Sequence, residues 1–127
     1  MRTIESLDTL DIPTGYKSYI FEYLQNISSF SFIDRVMLFG SCAREEVTKY
    51  SDIDIFITTN REITEEEETL ITFYCIPEYS KETLPTDIIV QSEKDFVNYA
   101  DRFGMVQCQV IKEGVDLSGL LRQCARN

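Results

Sequence analysis

The 127-residue chain has no histidine, and that absence excludes more than any other feature of its composition. Ser-His-Asp and Cys-His nucleophilic mechanisms, H-E-x-x-H metalloproteases and zinc-dependent base deaminases all need an imidazole. Carboxylate chemistry remains. Positive charge is also scarce, with 12 Lys and Arg against 22 Asp and Glu, for a formal net charge of −10. Such a surface is ill suited to holding a phosphate backbone, so direct binding of nucleic acid is not expected, and a basic protein partner fits better. No apolar run approaches the roughly 20 residues that span a bilayer. The N-terminal "MRTIESLDTLDIPTG" carries acids where a secretory signal has its apolar segment. The expected location is the cytoplasm, with no membrane contact. Cys42, Cys75, Cys108 and Cys124 are widely spaced and form no C-x-x-C pair, which suggests neither a zinc site nor a disulfide framework. They read as small buried hydrophobes, with Cys42, beside a Gly-Ser turn, the one to watch.

What is present describes a globular protein. With 43% hydrophobic and 27% charged residues, the chain is the size of one compact domain, residues 1–127, that buries about two-thirds of its unfolded surface. There is no internal repeat, low-complexity segment or linker. From Pro13 to Phe30, apolar residues at Tyr16, Ile20, Phe21, Leu24 and Ile27 follow helical spacing. "VMLF" at 36–39 is a continuous apolar run that reads as a strand buried on both faces, ended by Gly40-Ser41. A short helix is expected over Cys42 to Val47, and a strand over Asp52 to Thr58. Thr64 and Glu67 form a capping box for a helix to about Ile76, whose first turn holds four consecutive glutamates, Glu65 to Glu68. A strand follows over Thr86 to Gln91, then a helix capped by Ser92 and running to about Arg102, then a helix over roughly Phe103 to Lys112 stopped by Gly114. The tail "VDLSGLLRQCARN" is ambiguous. Strands alternating with helices in so short a chain predict an α/β or α+β fold with a small mixed sheet packed on helices.

Two features resist a purely structural reading. In the strand around Ile53, Ile55, Phe56 and Ile57 stand Asp52 and Asp54, two residues apart and therefore on one face, about 6.5 to 7 Å apart at the backbone. Adjacent carboxylates repel unless a divalent cation bridges them. Mg²⁺ is the fitting ion, being hard, oxygen-seeking and usually held by one or two carboxylates plus substrate phosphates. The second feature is Gly40-Ser41, where a glycine lets backbone approach a phosphate and a serine hydroxyl can hold its oxygens.

Joined, these features read G-S, ten residues, D-x-D, each half preceded or followed by an apolar run. The pattern closely resembles the polymerase-β-like nucleotidyltransferases, in particular their minimal, single-domain branch. The matching residues are Gly40, Ser41, Ala43 and Arg44 in "GSCAR" and Ser51, Asp52, Ile53 and Asp54 in "SDID". The family's third carboxylate, on a neighbouring strand, is matched by Asp87 in "PTDIIV", and "IKEGVDL" is similar to its closing segment, so the resemblance runs from about Leu24 to Leu117.

It implies the polymerase-β-like nucleotidyltransferase fold and transfer of AMP from ATP to a hydroxyl, with two Mg²⁺ ions. Asp52, Asp54 and Asp87 are implied as metal ligands and catalytic residues, and Gly40 and Ser41 as phosphate-binding. Arg44 either contacts phosphate or pairs with Glu45, Asp52 or Asp54. Without the resemblance, Asp87 could merely begin a strand, while Lys49 and Tyr50 either reach the nucleotide or form a solvated loop. Minimal nucleotidyltransferases of this kind often accompany a helical HEPN protein, frequently an RNase toxin, and serve as its antitoxin. The resemblance therefore implies a type VII-like antitoxin that adenylylates such a partner. Two alternatives stay open: a transferase acting on a small molecule such as an aminoglycoside or on an RNA end, and a non-catalytic antitoxin that caps its partner.

Overall fold

The apolar runs on either side of the Gly-Ser turn become the two central strands of the molecule. In the computed structural model, which describes residues 1–77 and 84–126, five strands form one mixed sheet. They are Arg2–Thr3 (β1), Ile33–Phe39 (β2), Ile53–Thr59 (β3), Thr86–Ser92 (β4) and Val115–Asp116 (β5), in the order β1-β5-β2-β3-β4. β2 runs antiparallel to β3 and to β5, whereas β3 is parallel to β4 and β1 to β5. The predicted mixed sheet packed on helices is the fold observed.

Alternation along β3 divides its side chains between two cores. Ile53, Ile55 and Ile57, with Val36 and Leu38 of β2, join the larger cluster with Ile20, Tyr23, Leu24 and Ile27 of α1 (Thr14–Ile27) and Leu120 and Leu121 of α6 (Ser118–Arg126). Phe56, Met37 and Phe39 face the other way, against Phe96 of α4 (Glu93–Tyr99) and Val110 of α5 (Val106–Glu113). The rings of Phe56 and Phe96 meet edge to face at 5.0 Å. Both faces of β3 are thus dry, which is why its sequence is nearly continuous in apolar residues rather than alternating. Each fully buried isoleucine contributes about 1.5–3 kcal/mol, so the strand is held firmly up to its first residues.

Several boundaries differ from those expected. The helix after the Gly-Ser turn is α2 (Gly40–Ala43), not Cys42 to Val47, because Glu45 turns the chain with a φ of 60°. The capping box at Thr64 and Glu67 is present, but the helix it opens is α3 (Glu65–Thr69), continued by a π turn over Leu70–Tyr74. α4 ends at Tyr99 rather than Arg102, and α5 starts at Val106 rather than Phe103, since Gly104, with a φ of 88°, breaks the helical path. The ambiguous tail resolves into β5 and α6. Of the cysteines, Cys42 and Cys108 are buried, while Cys75 and Cys124 are only half-buried. No helix among the described residues is long and apolar enough to cross a membrane.

Candidate active site

Strand direction assembles the site. Because β2 and β3 are antiparallel, the end of β2 lies beside the start of β3, with Phe39 opposite Asp54. The ten residues between Ser41 and Asp52 hold the end of α2 and the turn that reverses the chain. β4 then enters parallel to β3 in a register that pairs Asp54 with Asp87. Paired residues of neighbouring strands share a face and lie about 4.8 Å apart. Asp54 and Asp87 therefore stand side by side, at the rim of the smaller core, although 32 residues of sequence separate them. Asp52 precedes Asp54 by two positions, just off the end of β3, and is exposed.

Gly40 completes the row. Its φ is 72°, and a Cβ built there would collide with Oδ2 of Asp54. Only a residue without a side chain lets the turn close onto that carboxylate. Ser41 follows in the first turn of α2, where backbone N–H groups have no intrahelical acceptor.

Asp54 is the electrostatic focus. Its pKa is raised from the ordinary carboxylate value, first by burial, then by the charges of Asp87 and Asp52, with Arg44 offsetting part of the effect. Like charges and burial act together, and Arg44 offsets only part of their effect. Arg44 instead pairs with Glu46, Nε to Oε2 at 3.4 Å, and with Glu113 at the end of α5, Nη1 to Oε2 at 3.3 Å. Of the pairings expected for Arg44, none with Glu45, Asp52 or Asp54 is formed. Glu45 is occupied elsewhere, accepting from the backbone N–H of Asp11 at 2.6 Å and from Arg2 at 3.1 Å.

Two residues not assigned to the site in the sequence hold its approach in place. The Tyr16 hydroxyl on α1 donates to the carbonyl of Ser51 at 2.9 Å, and the Cys42 thiol on α2 donates to the carbonyl of Asp52 at 3.6 Å. Burial, and then the Asp54 charge, push the Cys42 thiol up to about 11, so it stays protonated and serves as a donor. Tyr16 is raised as well, by burial first and then by Cys42 and Asp52. Helical spacing marks Tyr16 as a core residue; nothing in the sequence signals what its hydroxyl reaches. Lys49 and Tyr50 lie in the turn between, where Ser51 Oγ accepts from Thr48 N–H at 2.8 Å. Tyr50 is 80% exposed with Lys49 Nζ 5.0 Å from its ring centroid, a solvated loop.

Among the described residues, no three Cys, Asp or Glu side chains are grouped so as to hold a metal ion by themselves. The donor set fits an open site instead. It offers hard carboxylate oxygens at one strand end, with repulsion on Asp54 that Arg44 offsets only in part and a glycine leaving room above it. Mg²⁺ needs no more than one or two protein carboxylates when substrate phosphates supply further ligands. A cavity of about 570 Å³ lies on the opposite side of β4, against Tyr19 and Thr86. Because Thr86 and Asp87 point to opposite faces, that cavity is not the carboxylates' own cleft.

The family described as nucleotidyltransferase domain matches residues 18–115. That span contains the Gly-Ser turn and all three aspartates. Among solved structures, a crystal structure provisionally assigned as a nucleotidyltransferase from Sulfolobus solfataricus shares 26% identity, with 64% of this chain and 70% of that chain covered at a TM-score of 0.43. No curated protein matches significantly.

Proposed function

Because the chain belongs to the nucleotidyltransferase domain family, whose chemistry is nucleotide transfer, we propose that it moves AMP from ATP to a hydroxyl on a helical partner protein of the HEPN type, acting as an antitoxin. The observation that carries the transfer reaction is the row formed by Gly40, just past the end of β2, with Asp54 of β3 and Asp87 of β4. Asp52 and Asp54 would hold the metal ions, with Asp87 as a third ligand. Two Mg²⁺ ions, when bound, supply positive charge that stabilises an in-line displacement at phosphorus. Gly40 and Ser41 present backbone N–H groups and a hydroxyl to the β- and γ-phosphates. The acceptor oxygen forms its bond to the α-phosphorus as the bond to the β-phosphate oxygen breaks, pyrophosphate leaves, and Asp87 takes the hydroxyl proton.

Arg44 fits the phosphate role better than its ion pairs suggest. Both bridges are exposed, and such pairs contribute about 0–1 kcal/mol each. A triphosphate beside Gly40 would draw the guanidinium away at little cost. For the acceptor, the net charge of −10 supports a basic protein over an RNA end. A tyrosine near the partner's own active site suits the reaction, and the AMP added there would both occlude the site and repel a phosphate-bearing substrate.

The test has two stages. Mg²⁺ with ATP should raise the melting temperature, and Asp52→Asn with Asp54→Asn should abolish the gain; ligand at 100 times its Kd stabilises a fold by about 2.7 kcal/mol. Asp87→Asn should keep nucleotide binding and lose transfer. In the second stage, intact mass spectrometry of a HEPN partner incubated with protein, Mg²⁺ and ATP should show the mass of one added AMP. Suppression of the partner without added mass would leave an antitoxin that caps, and no complex at all would move the acceptor to a small molecule.

A further inference from the structure

The connection from β3 to β4 presents a surface that the transfer reaction does not use. Along α3 and its π turn only Ile71 is buried, while Leu70, Phe73 and Tyr74 are 40%, 67% and 67% exposed. The two rings meet edge to face at 5.2 Å, so they form one preassembled apolar feature. The inner side is firmly tied. Tyr23 Oη donates to the Ile71 carbonyl at 2.8 Å and Asn26 Nδ2 to the Cys75 carbonyl at 2.9 Å. The π register, marked by Cys75 N–H donating to the Leu70 carbonyl five residues back at 2.9 Å, is a rare geometry that recurs at functional sites.

Beside these apolar groups lies a groove of about 430 Å³ lined by Glu65, Glu66, Thr69, Leu70 and Tyr74. Residues 62–77 hold five glutamates and no lysine or arginine. Among the described residues only Glu67 of the five enters an ion pair, with Arg61 at 2.9 Å. The groove is apolar at one end and anionic at the other.

We propose that this groove docks a cationic amphipathic segment of another protein, its apolar side chains on Leu70, Phe73 and Tyr74 and its Lys or Arg heads at Glu65 and Glu66. Charge complementarity selects that occupant. A second copy of the chain would set glutamates against glutamates and a net charge of −10 against its equal, and nucleic acid or an anionic lipid surface would meet the same repulsion. The aromatic pair supplies the anchor that such interfaces use, and the overall field of the protein draws a cationic segment in. This inference stands apart from the transfer reaction, and its test contains no nucleotide, so either can fail alone.

The probe is a fluorescent synthetic helix of leucine and lysine with lysines on one face, titrated onto the full chain at physiological salt. A second helix with glutamate in place of lysine is the control. The wild type should bind the first and not the second. Phe73→Ser with Tyr74→Ser, and separately Glu65→Lys with Glu66→Lys, should each weaken binding at least about tenfold. Because all four side chains are exposed, melting curves should show the variants folded. Glu5→Lys with Asp8→Lys makes the same change of charge at a different surface groove and should leave the affinity nearly unaltered. Equal weakening by both charge pairs would reduce the effect to net charge and overturn the proposal, as would indifference to the aromatic pair. A wild-type dimer in sedimentation that Phe73→Ser with Tyr74→Ser dissolves would also overturn it, by giving the groove to a second copy.

Discussion

Gly40 answers two demands at once, a left-handed backbone and a carboxylate in the space where a Cβ would go. A side chain there costs about 1–2 kcal/mol for the φ alone, and the collision adds displacement of Asp54. Gly40→Ala should therefore lower stability by more than about 1 kcal/mol in urea melts and also abolish the thermal shift given by Mg²⁺ with ATP. Asp54 carries the opposite sign. Its folded pKa lies above the ordinary 3.8, so in that window the native state binds more protons than the unfolded chain, and stability falls as pH rises through it. Asp54→Asn should remove this slope and make the metal-free protein more stable at neutral pH, as read from melts across pH in the presence of chelator. An unchanged or lower stability would mean that the carboxylate has an unrecognised partner. Tyr16→Phe deletes one hydroxyl that holds the Ser51 carbonyl. It should weaken metal-dependent nucleotide binding, measured calorimetrically, more than its loss of a single hydrogen bond, about 1 kcal/mol, lowers the fold's stability.

At the scale of elements, α3 buries none of its own residues, and its start depends on local chemistry. Thr64 Oγ1 accepts from Glu67 N–H at 3.1 Å while Glu67 Oε1 accepts from Thr64 N–H at 3.0 Å. Thr64→Ala should cost about 1 kcal/mol, seen as faster amide exchange confined to residues 65–75. Hydrogen bonds from Arg61, and then from the Thr64 backbone, hold Glu67 down at about 2, from an ordinary 4.5. A depressed carboxylate stabilises the fold above its unfolded pKa, and that contribution is lost as pH falls from about 4.5 through 2. An NMR titration of Glu67 reads this directly, and a midpoint near 4.5 would show that the capping box is open in solution. The cap was legible in the sequence because it is a local arrangement over four residues. The π turn was not, since it depends on Tyr23 and Asn26 of α1 reaching Ile71 and Cys75.

At the scale of the whole molecule, a formal charge of −10 on 127 residues sets a self-repulsion that no single pair expresses. Salt shortens the Debye length from about 30 Å at 0.01 M to about 8 Å at 0.15 M. The melting temperature of the metal-free protein should accordingly rise with NaCl over that range. A fall would give the exposed bridges, Arg44 to Glu46 and Glu113 among them, more weight than the net charge. The two cores meet at β3, and their unequal size places the carboxylates. The larger cluster secures Ile53 and Ile55, while the smaller stops at Phe56 and Phe39, leaving Asp54 at its open rim.

The sequence alone determined most of the elements, the mixed sheet and the candidates Gly40, Ser41, Asp52 and Asp54, because helical and strand periodicities, caps and the G-S to D-x-D spacing are all short-range patterns. Asp87, by contrast, stood out only through the family resemblance. It placed Asp52 and Asp54 on one face by alternation alone. Tertiary structure decided what those residues meet. The parallel register of β3 and β4 put Asp87 beside Asp54, the antiparallel return of β2 pressed Gly40 onto it, and α5 brought Glu113 to Arg44. These contacts join residues 14 to 69 positions apart in the chain. They are set by how strands pair and helices pack on both faces, a balance of burial over the whole sheet that no local stretch of residues encodes.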